Sequence, residues 1–307
     1  MAERYGLPYK GSKNKIADWV MDCLPLNDNF YDLFCGGCAI THAALKSGKY
    51  KGRFFANDII GELPRTFIQA AHGRLNLNYE FVTRKEFFEK KEQDIIVKLC
   101  YSFGMKGDTY IYGKDNEDFK HAYHDAVVFK RFDPLKTWGF DLSAVATQKT
   151  IGERYISAKK ILKRRERNIR LITEENLPRL QGVERLQHIE ELQHLEELES
   201  LERLESLERL YYDVNIIPNS TVYCDPPYLS TSGYGGGNFD HKDFYQWCLT
   251  RDFPVFVSEY WMPDDFACIA MKGKRVTLAK NKNDTLRAEK IFVQKRYADK
   301  YKRDLFV

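Results

Sequence analysis

A chain of 307 residues, 43% hydrophobic and 14% aromatic, is long enough for one large α/β domain or for a domain with a substantial insertion. It has no run of about 18 apolar residues, and its opening MAERYGLPYKGSK lacks an apolar signal segment; a membrane span is excluded and a cytoplasmic protein is expected. The net charge of +4 conceals an asymmetry: 183–209 holds nine Glu against three Arg, while 149–170 holds nine Lys or Arg against two Glu. Seven cysteines, mostly within apolar runs (Cys100, Cys248, Cys268), predict reduced, buried thiols and no disulfide framework.

In chain order, GLPYKGSKNKIADWVMDCL predicts a Gly/Ser turn and then a helix with Ile16, Trp19, Val20 and Cys23 at helical spacing. A strand at 30–34 breaks at Gly36-Gly37, a helix follows over 39–46 and ends at Gly48, and a second strand covers 53–56. That order predicts the first half of a nucleotide-binding parallel sheet. Gly36 and Gly37 permit close approach of a ligand, and Asp58, 21 residues after Gly37, sits where ribose hydroxyls are commonly received. An adenosine-type cofactor is expected. Cys35 and Cys38 form a C-x-x-C, but no second pair of metal ligands accompanies it, so zinc or redox chemistry is the weaker reading.

Residues 62–215 are mainly helical by periodicity, interrupted by a loop or hairpin at SFGMKGDTYIYG. His121 and His124 are expected at the surface or in a recognition loop. The basic stretch 149–170 predicts a loosely amphipathic helix, with Ile156, Ile161 and Leu162 among its apolar positions. Its other face is either simply solvated or contacts phosphates through Lys159, Lys160, Lys163, Arg164, Arg165 and Arg167. From 177 to 210 an apolar residue recurs at every third position, in hexads from Leu186 onward. On an α-helix each three-residue step falls about 60° short of a turn, so the stripe spirals. A long 3₁₀ helix would align the leucines but is rarely stable, and Glu199 with Arg203 and Glu205 with Arg209 at i,i+4 favour an ordinary α-helix over disorder or an extended form, expected to protrude and self-associate or to lie on the basic helix. It is expected to be an insertion the rest of the fold tolerates.

Strands are predicted again at 221–224, 254–258, 274–278 and 289–294, with a helix at 241–249. The expected fold class is α/β, a Rossmann-like sheet built from 1–60 and 216–307 around a helical insertion at 61–215. At VYCDPPYLS (222–230), Pro226 and Pro227 end a strand, and their fixed φ holds Asp225 and Tyr228 on a stiff rim beside the Pro226 carbonyl. A carboxylate, a carbonyl and an aromatic face suit a flat ring bearing an amino group; an ordinary strand exit through a Pro-Pro turn is the alternative.

PYKGSK (8–13), DLFCGGCA (32–39), ANDI (56–59), YCDPPY (223–228) and VFVSEY (255–260) occur in the order found in the phage and bacterial DNA adenine-N6 methyltransferases of the alpha arrangement, which the chain resembles over 5–130 and 215–297. CDPPY is the most specific match, since cytosine-N4 enzymes tend to have Ser there and glutamine-N5 enzymes Asn. The resemblance implies S-adenosylmethionine as cofactor, bordered by Tyr9, Lys10 and Lys13, with Phe34, Gly36 and Gly37 near its methionine moiety and Asp58 on its ribose. It also implies that Asp225, Pro226, Pro227 and Tyr228 act on an adenine flipped out of double-stranded DNA, Asp225 bordering the cofactor too, and that no metal takes part. Cys38 replaces the last small residue of the usual F-x-G-x-G pattern. The Asn-x-Pro-Phe-Gly element of enzymes that read GATC is missing, so that target is not carried over. A non-catalytic nucleic-acid-binding homologue, and methylation of RNA adenine or of a protein amide, stay open.

Overall fold

The computed structural model describes residues 4–105, 107–165, 180–228, 239–275 and 286–301. The chain divides into two compact units, 1–75 with 192–307, and 76–191. The second unit is shorter than the expected insertion, because 62–71 and 192–215 belong with the sheet.

In the first unit, α1 (Ala17–Cys23) leads to β1 (Asn29–Asp32), α2 (Ala39–Ser47), β2 (Phe54–Asn57) and α3 (Glu62–Ala71). The second unit contains α4 (Arg84–Lys90), α5 (Ile95–Tyr101), α6 (Glu117–Val128), α7 (Asp133–Lys136), α8 (Ile151–Arg165) and α9 (Gln181–Glu191). The chain then returns to the first unit with β3 (Leu204–Leu207), β4 (Ser220–Cys224), α10 (His241–Thr250), β5 (Val255–Glu259), β6 (Phe266–Arg275), β7 (Leu286–Gln294) and α11 (Lys295–Tyr301).

The seven-stranded sheet has the order β3-β2-β1-β4-β5-β7-β6. β3, β2, β1, β4 and β5 run parallel, and β7 is antiparallel to both of its neighbours. β1, β2 and β5 are buried along their whole length, as strands covered on both faces must be. The strand order reverses between β1 and β4, so a crevice is expected outside their carboxyl ends. This is the Rossmann-like sheet expected of a methyltransferase. β6 begins at Phe266, ahead of the expected 274–278; a register shift between Cys268 and Ala270 breaks the two-residue alternation that would have marked it. The remainder of that expected strand, 276–278, lies outside the described residues.

The leucine repeat departs most from expectation. Among the described residues it is α-helical only in α9, continues as 3₁₀ turns over Leu192–Glu197 and Glu199–Arg203, and ends as β3 on the sheet edge. Three residues per turn align a three-residue leucine spacing, and extended backbone at Leu198 keeps each 3₁₀ run short. Leu192, Leu195, Leu201 and Leu204 are thereby all buried. The two identical hexads LESLER at 198–203 and 204–209 take different conformations because their partners differ. In the first, the Ser200 hydroxyl donates to the Leu45 carbonyl and Arg203 to the Lys51 and Gly52 carbonyls. In the second, Leu204–Leu207 pairs with Phe54–Asn57. Tertiary contacts override local preference, and among the described residues no long protruding helix forms; the part that is α-helical, α9, shares a core with the basic helix α8 through Val183, Ala158 and Leu162, as the second expectation had it.

In the second unit, two arginines donate to carbonyls at helix ends. Arg185 donates to the carbonyls of Leu99, Cys100 and Ser102 at the end of α5. Arg154, 5% exposed within the basic helix, donates to Val127 and Val128 at the end of α6 and to Gln148 and Lys149. A guanidinium at a helix C-terminus meets the orphan carbonyls and the negative end of the dipole. His124 is not at the surface: it is fully buried, its Nε2 lies 2.7 Å from the Tyr79 carbonyl, and burial lowers its pKa to about 4. His121 is exposed and stacks on Phe81 at 4.5 Å.

Candidate active site

The turns after β1, β2 and β4 come together because those strands are neighbours and parallel. After β1, Gly36 (φ 48°) and Cys38 (φ 60°) take left-handed conformations that lead into α2. A Cβ on Gly37 would come 2.7 Å from the Tyr9 Cβ and 2.8 Å from the Leu7 carbonyl oxygen, and one on Gly36 would stand 3.0 Å from the Tyr9 ring. The double glycine therefore lets the N-terminal segment lie across the turn, where the Leu7 N–H donates to the Gly37 carbonyl at 2.6 Å. The Cys35 and Cys38 sulfurs are 3.7 Å apart, free and buried, and burial raises both thiols, which makes them poor nucleophiles.

Asp58 ties the first two turns together. Its Oδ2 accepts the Gly36 N–H and its Oδ1 the Ile60 N–H, each at 2.9 Å, while burial raises its pKa. A lone pair on each oxygen is left for a ligand hydroxyl. The neighbouring Asn57, 1% exposed, fixes this corner by donating to the Leu33 and Arg209 carbonyls and accepting the Arg209 N–H. Phe34 packs its ring against Tyr211, Phe239 and Phe244, and Lys10 is half-buried in the turn before Gly11.

Asp32 opens the DLFCGGCA stretch, but the resemblance gave it no role. Thr41 donates to its Oδ2 at 2.8 Å, whereas its buried Oδ1 accepts no hydrogen bond among the described residues. Burial, helped by Asp225 and Asp58 and opposed by Thr41, raises its carboxyl to about 7. An acid closing an apolar strand directly before a glycine turn was the available signal. Asp32 and Asp58 together fit a ligand that brings hydroxyl or ammonium donors.

At the exit of β4, the Lys13 Nζ donates to both oxygens of Asp225 at 2.7 Å, with 6% and 18% of the two side chains exposed. The same Nζ lies 4.7 Å from the centroid of the Tyr228 ring. Burial raises the Asp225 carboxyl and the Lys13 charge opposes it. The Tyr228 hydroxyl donates to Glu289 at 2.9 Å, and its ring meets Tyr260 edge-on at 4.7 Å. His241 Nε2 donates to the Pro227 carbonyl at 2.7 Å, pinning the turn that Pro226 and Pro227 stiffen. Tyr260 closes the VFVSEY stretch, whereas Glu289 and His241 had no motif to announce them.

Of the basic residues expected on DNA, Lys160 and Lys163 are exposed on α8 and Lys159 is half-buried beside Tyr155. Arg164 and Arg165 end the helix, and Arg167 lies outside the described residues.

If Asp58 receives a ligand's ribose, Asp58→Ala weakens cofactor binding by about 1.5–3 kcal/mol, the worth of a hydrogen bond to a charged group. Calorimetry checks this, and unchanged affinity would show that the ribose is held elsewhere.

No curated protein matches the chain. Residues 9–93, which contain Tyr9, Lys13, the Gly36-Gly37 turn and Asp58, match the family model of the D12 class N6 adenine-specific DNA methyltransferases. The Rossmann-like sheet, and an Asp-Pro-Pro-Tyr turn set beside the matched segment through Lys13, agree with that match, which covers less than a third of the chain: over this segment the chain is similar to the N6 adenine-specific DNA methyltransferases of the D12 class.

Proposed function

We propose that the protein transfers a methyl group from S-adenosylmethionine to N6 of an adenine flipped out of double-stranded DNA at a specific site. The observation that carries this reading is the cluster of Asp225, Lys13 and Tyr228 at the strand-order reversal, next to the Asp58 corner. Asp58 would hold the ribose hydroxyls, Asp32 and the Phe34 to Gly37 turn the methionine end, and Tyr9 and Lys10 the rim. When bound there, S-adenosylmethionine supplies an electrophilic methyl on a sulfonium.

The adenine N6 is a poor nucleophile because its lone pair is delocalised into the ring. Asp225 and the Pro226 carbonyl accept its two N–H groups and favour a more tetrahedral nitrogen, while Tyr228 stacks on the ring and fixes the line of attack. Extracting the base costs a few kcal/mol, which the pocket must offset. The Lys13 charge opposes the burial penalty on the Asp225 carboxylate and, by occupying one lone pair on each oxygen, still leaves acceptor capacity for the amine. The bound cofactor would supply the methyl that N6 takes in exchange for one of its protons, and Asp225, hydrogen-bonded to that N–H, would accept the proton or pass it to solvent. No covalent enzyme intermediate forms.

Buried, free cysteines support a reducing, cytoplasmic setting. We assign α8 to sequence-independent phosphate contact. Replacing Lys160 and Lys163 by Gln is expected to weaken binding to all DNA sequences alike and to flatten the salt dependence by roughly 0.9 per lost contact. Titrations across a salt series check this, and an unchanged slope would leave α8 a solvated face. Offering DNA, RNA and protein acceptors with methyl-labelled cofactor tests the reaction itself. Label in DNA is expected; label in RNA or protein alone, or binding to DNA without transfer, would replace this reading with one of its rivals.

A further inference from the structure

Glu289 lies on β7 on the same face as Ile291 and Val293, and all three are buried. A carboxylate in such a row is costly unless it is hydrogen-bonded. One partner is the Tyr228 hydroxyl, 61 positions away in sequence and 2.9 Å away in space. Tyr260 meets the same ring edge-on. A tyrosine has two side-chain torsions, and contacts at the hydroxyl tip and along the ring restrict both.

Resting on the function proposed above, we infer that Glu289 is a positioning residue: by holding the Tyr228 hydroxyl it fixes the plane in which the ring meets the target base. Methyl transfer depends on the alignment of N6 with the methyl group, so tilt in the stacking platform lowers turnover more than binding. A rival role, in which Glu289 acts only through its charge on the nearby Asp225, makes a different forecast. Gln keeps an acceptor oxygen for the Tyr228 hydroxyl but has no charge; Ala has neither.

The test uses the full-length chain and a DNA duplex whose methylated adenine has first been mapped, in its natural form for kinetics and with 2-aminopurine at that position for fluorescence. Glu289→Ala is expected to lower kcat by about tenfold or more while the KM for DNA and the calorimetric cofactor affinity stay within about threefold. The 2-aminopurine emission of its complex should exceed that of the wild type, because a poorly held ring stacks and quenches less well. Glu289→Gln should stay within about threefold of wild-type kcat, and Tyr228→Phe, which removes only the hydroxyl, should match Glu289→Ala. In the Tyr228→Phe background the alanine change should have no further effect on kcat. Wild-type kcat in Glu289→Ala, equal damage from Gln and Ala, or an undiminished Ala effect in the Phe background would each overturn the inference. Should Glu289→Ala fail to fold, wild-type kcat and emission in Tyr228→Phe would overturn it just as well. A wild-type protein that transfers no methyl to DNA removes both this inference and the reading beneath it, whereas an active wild type with an indifferent Glu289→Ala removes this one alone.

Discussion

Asp225→Ala is expected to lower methyl transfer to DNA by about a thousandfold or more while leaving cofactor affinity within about tenfold. In the proposed mechanism Asp225 supplies an acceptor for the N6 amine that neither neighbouring proline can replace. The alanine also removes the carboxylate that Lys13, 6% exposed, donates to, and breaking a buried ion pair is destabilising. Asp225→Asn separates the two effects, since it preserves shape and an acceptor oxygen while losing the charge that Lys13 faces. It should fold with a smaller loss of stability yet remain at least about a hundredfold impaired. Thermal melts together with single-turnover transfer distinguish loss of chemistry from loss of fold. Substantial turnover by a folded Asp225→Ala protein would remove Asp225 from the reaction.

The second large effect is expected from deleting one hexad, residues 198–203, from the leucine repeat. A helical insertion looping out of the fold would tolerate the change, but these residues trace a fixed path along the first unit. They bury Leu201, bond Ser200 to the Leu45 carbonyl, and bond Arg203 to the Lys51 and Gly52 carbonyls. Loss of one buried leucine alone costs about 2–5 kcal/mol, and a fall in Tm on the order of 10 °C is expected. Cofactor affinity should fall as well, because β3 supports the Asp58 corner. The Leu207 carbonyl accepts the Asp58 N–H at 3.3 Å, and Arg209 is bonded to Asn57. Unchanged melting and unchanged cofactor binding would show the repeat to be dispensable after all.

The glycine turn, Asp58 and the Asp-Pro-Pro-Tyr turn were legible in the sequence because each is a contiguous motif at a strand end, bounded by residues that stop a strand or permit a tight turn. β3 was not, since the hexad that forms it is identical to the one before it and only its partner, β2, makes it a strand. Local preference carries no information when the same six residues take two conformations. The Lys13 and Asp225 pair is separated by 212 positions and became visible only when β1 and β4 were placed side by side. Arg154 was hidden differently: within a run of basic residues nothing distinguishes the guanidinium that turns inward onto carbonyls from those facing water. His124 shows the same limit, since one helix carries an exposed and a buried histidine three residues apart.

Digesting duplex DNA to nucleosides after incubation with the full chain and methyl-labelled S-adenosylmethionine, then identifying the labelled nucleoside by chromatography and mass, tests the central claim most directly. Label confined to N6-methyldeoxyadenosine, and lost in Asp225→Ala, is the predicted result. Label in N4-methyldeoxycytidine or 5-methyldeoxycytidine, or no label from a folded protein that binds both DNA and cofactor, would contradict it.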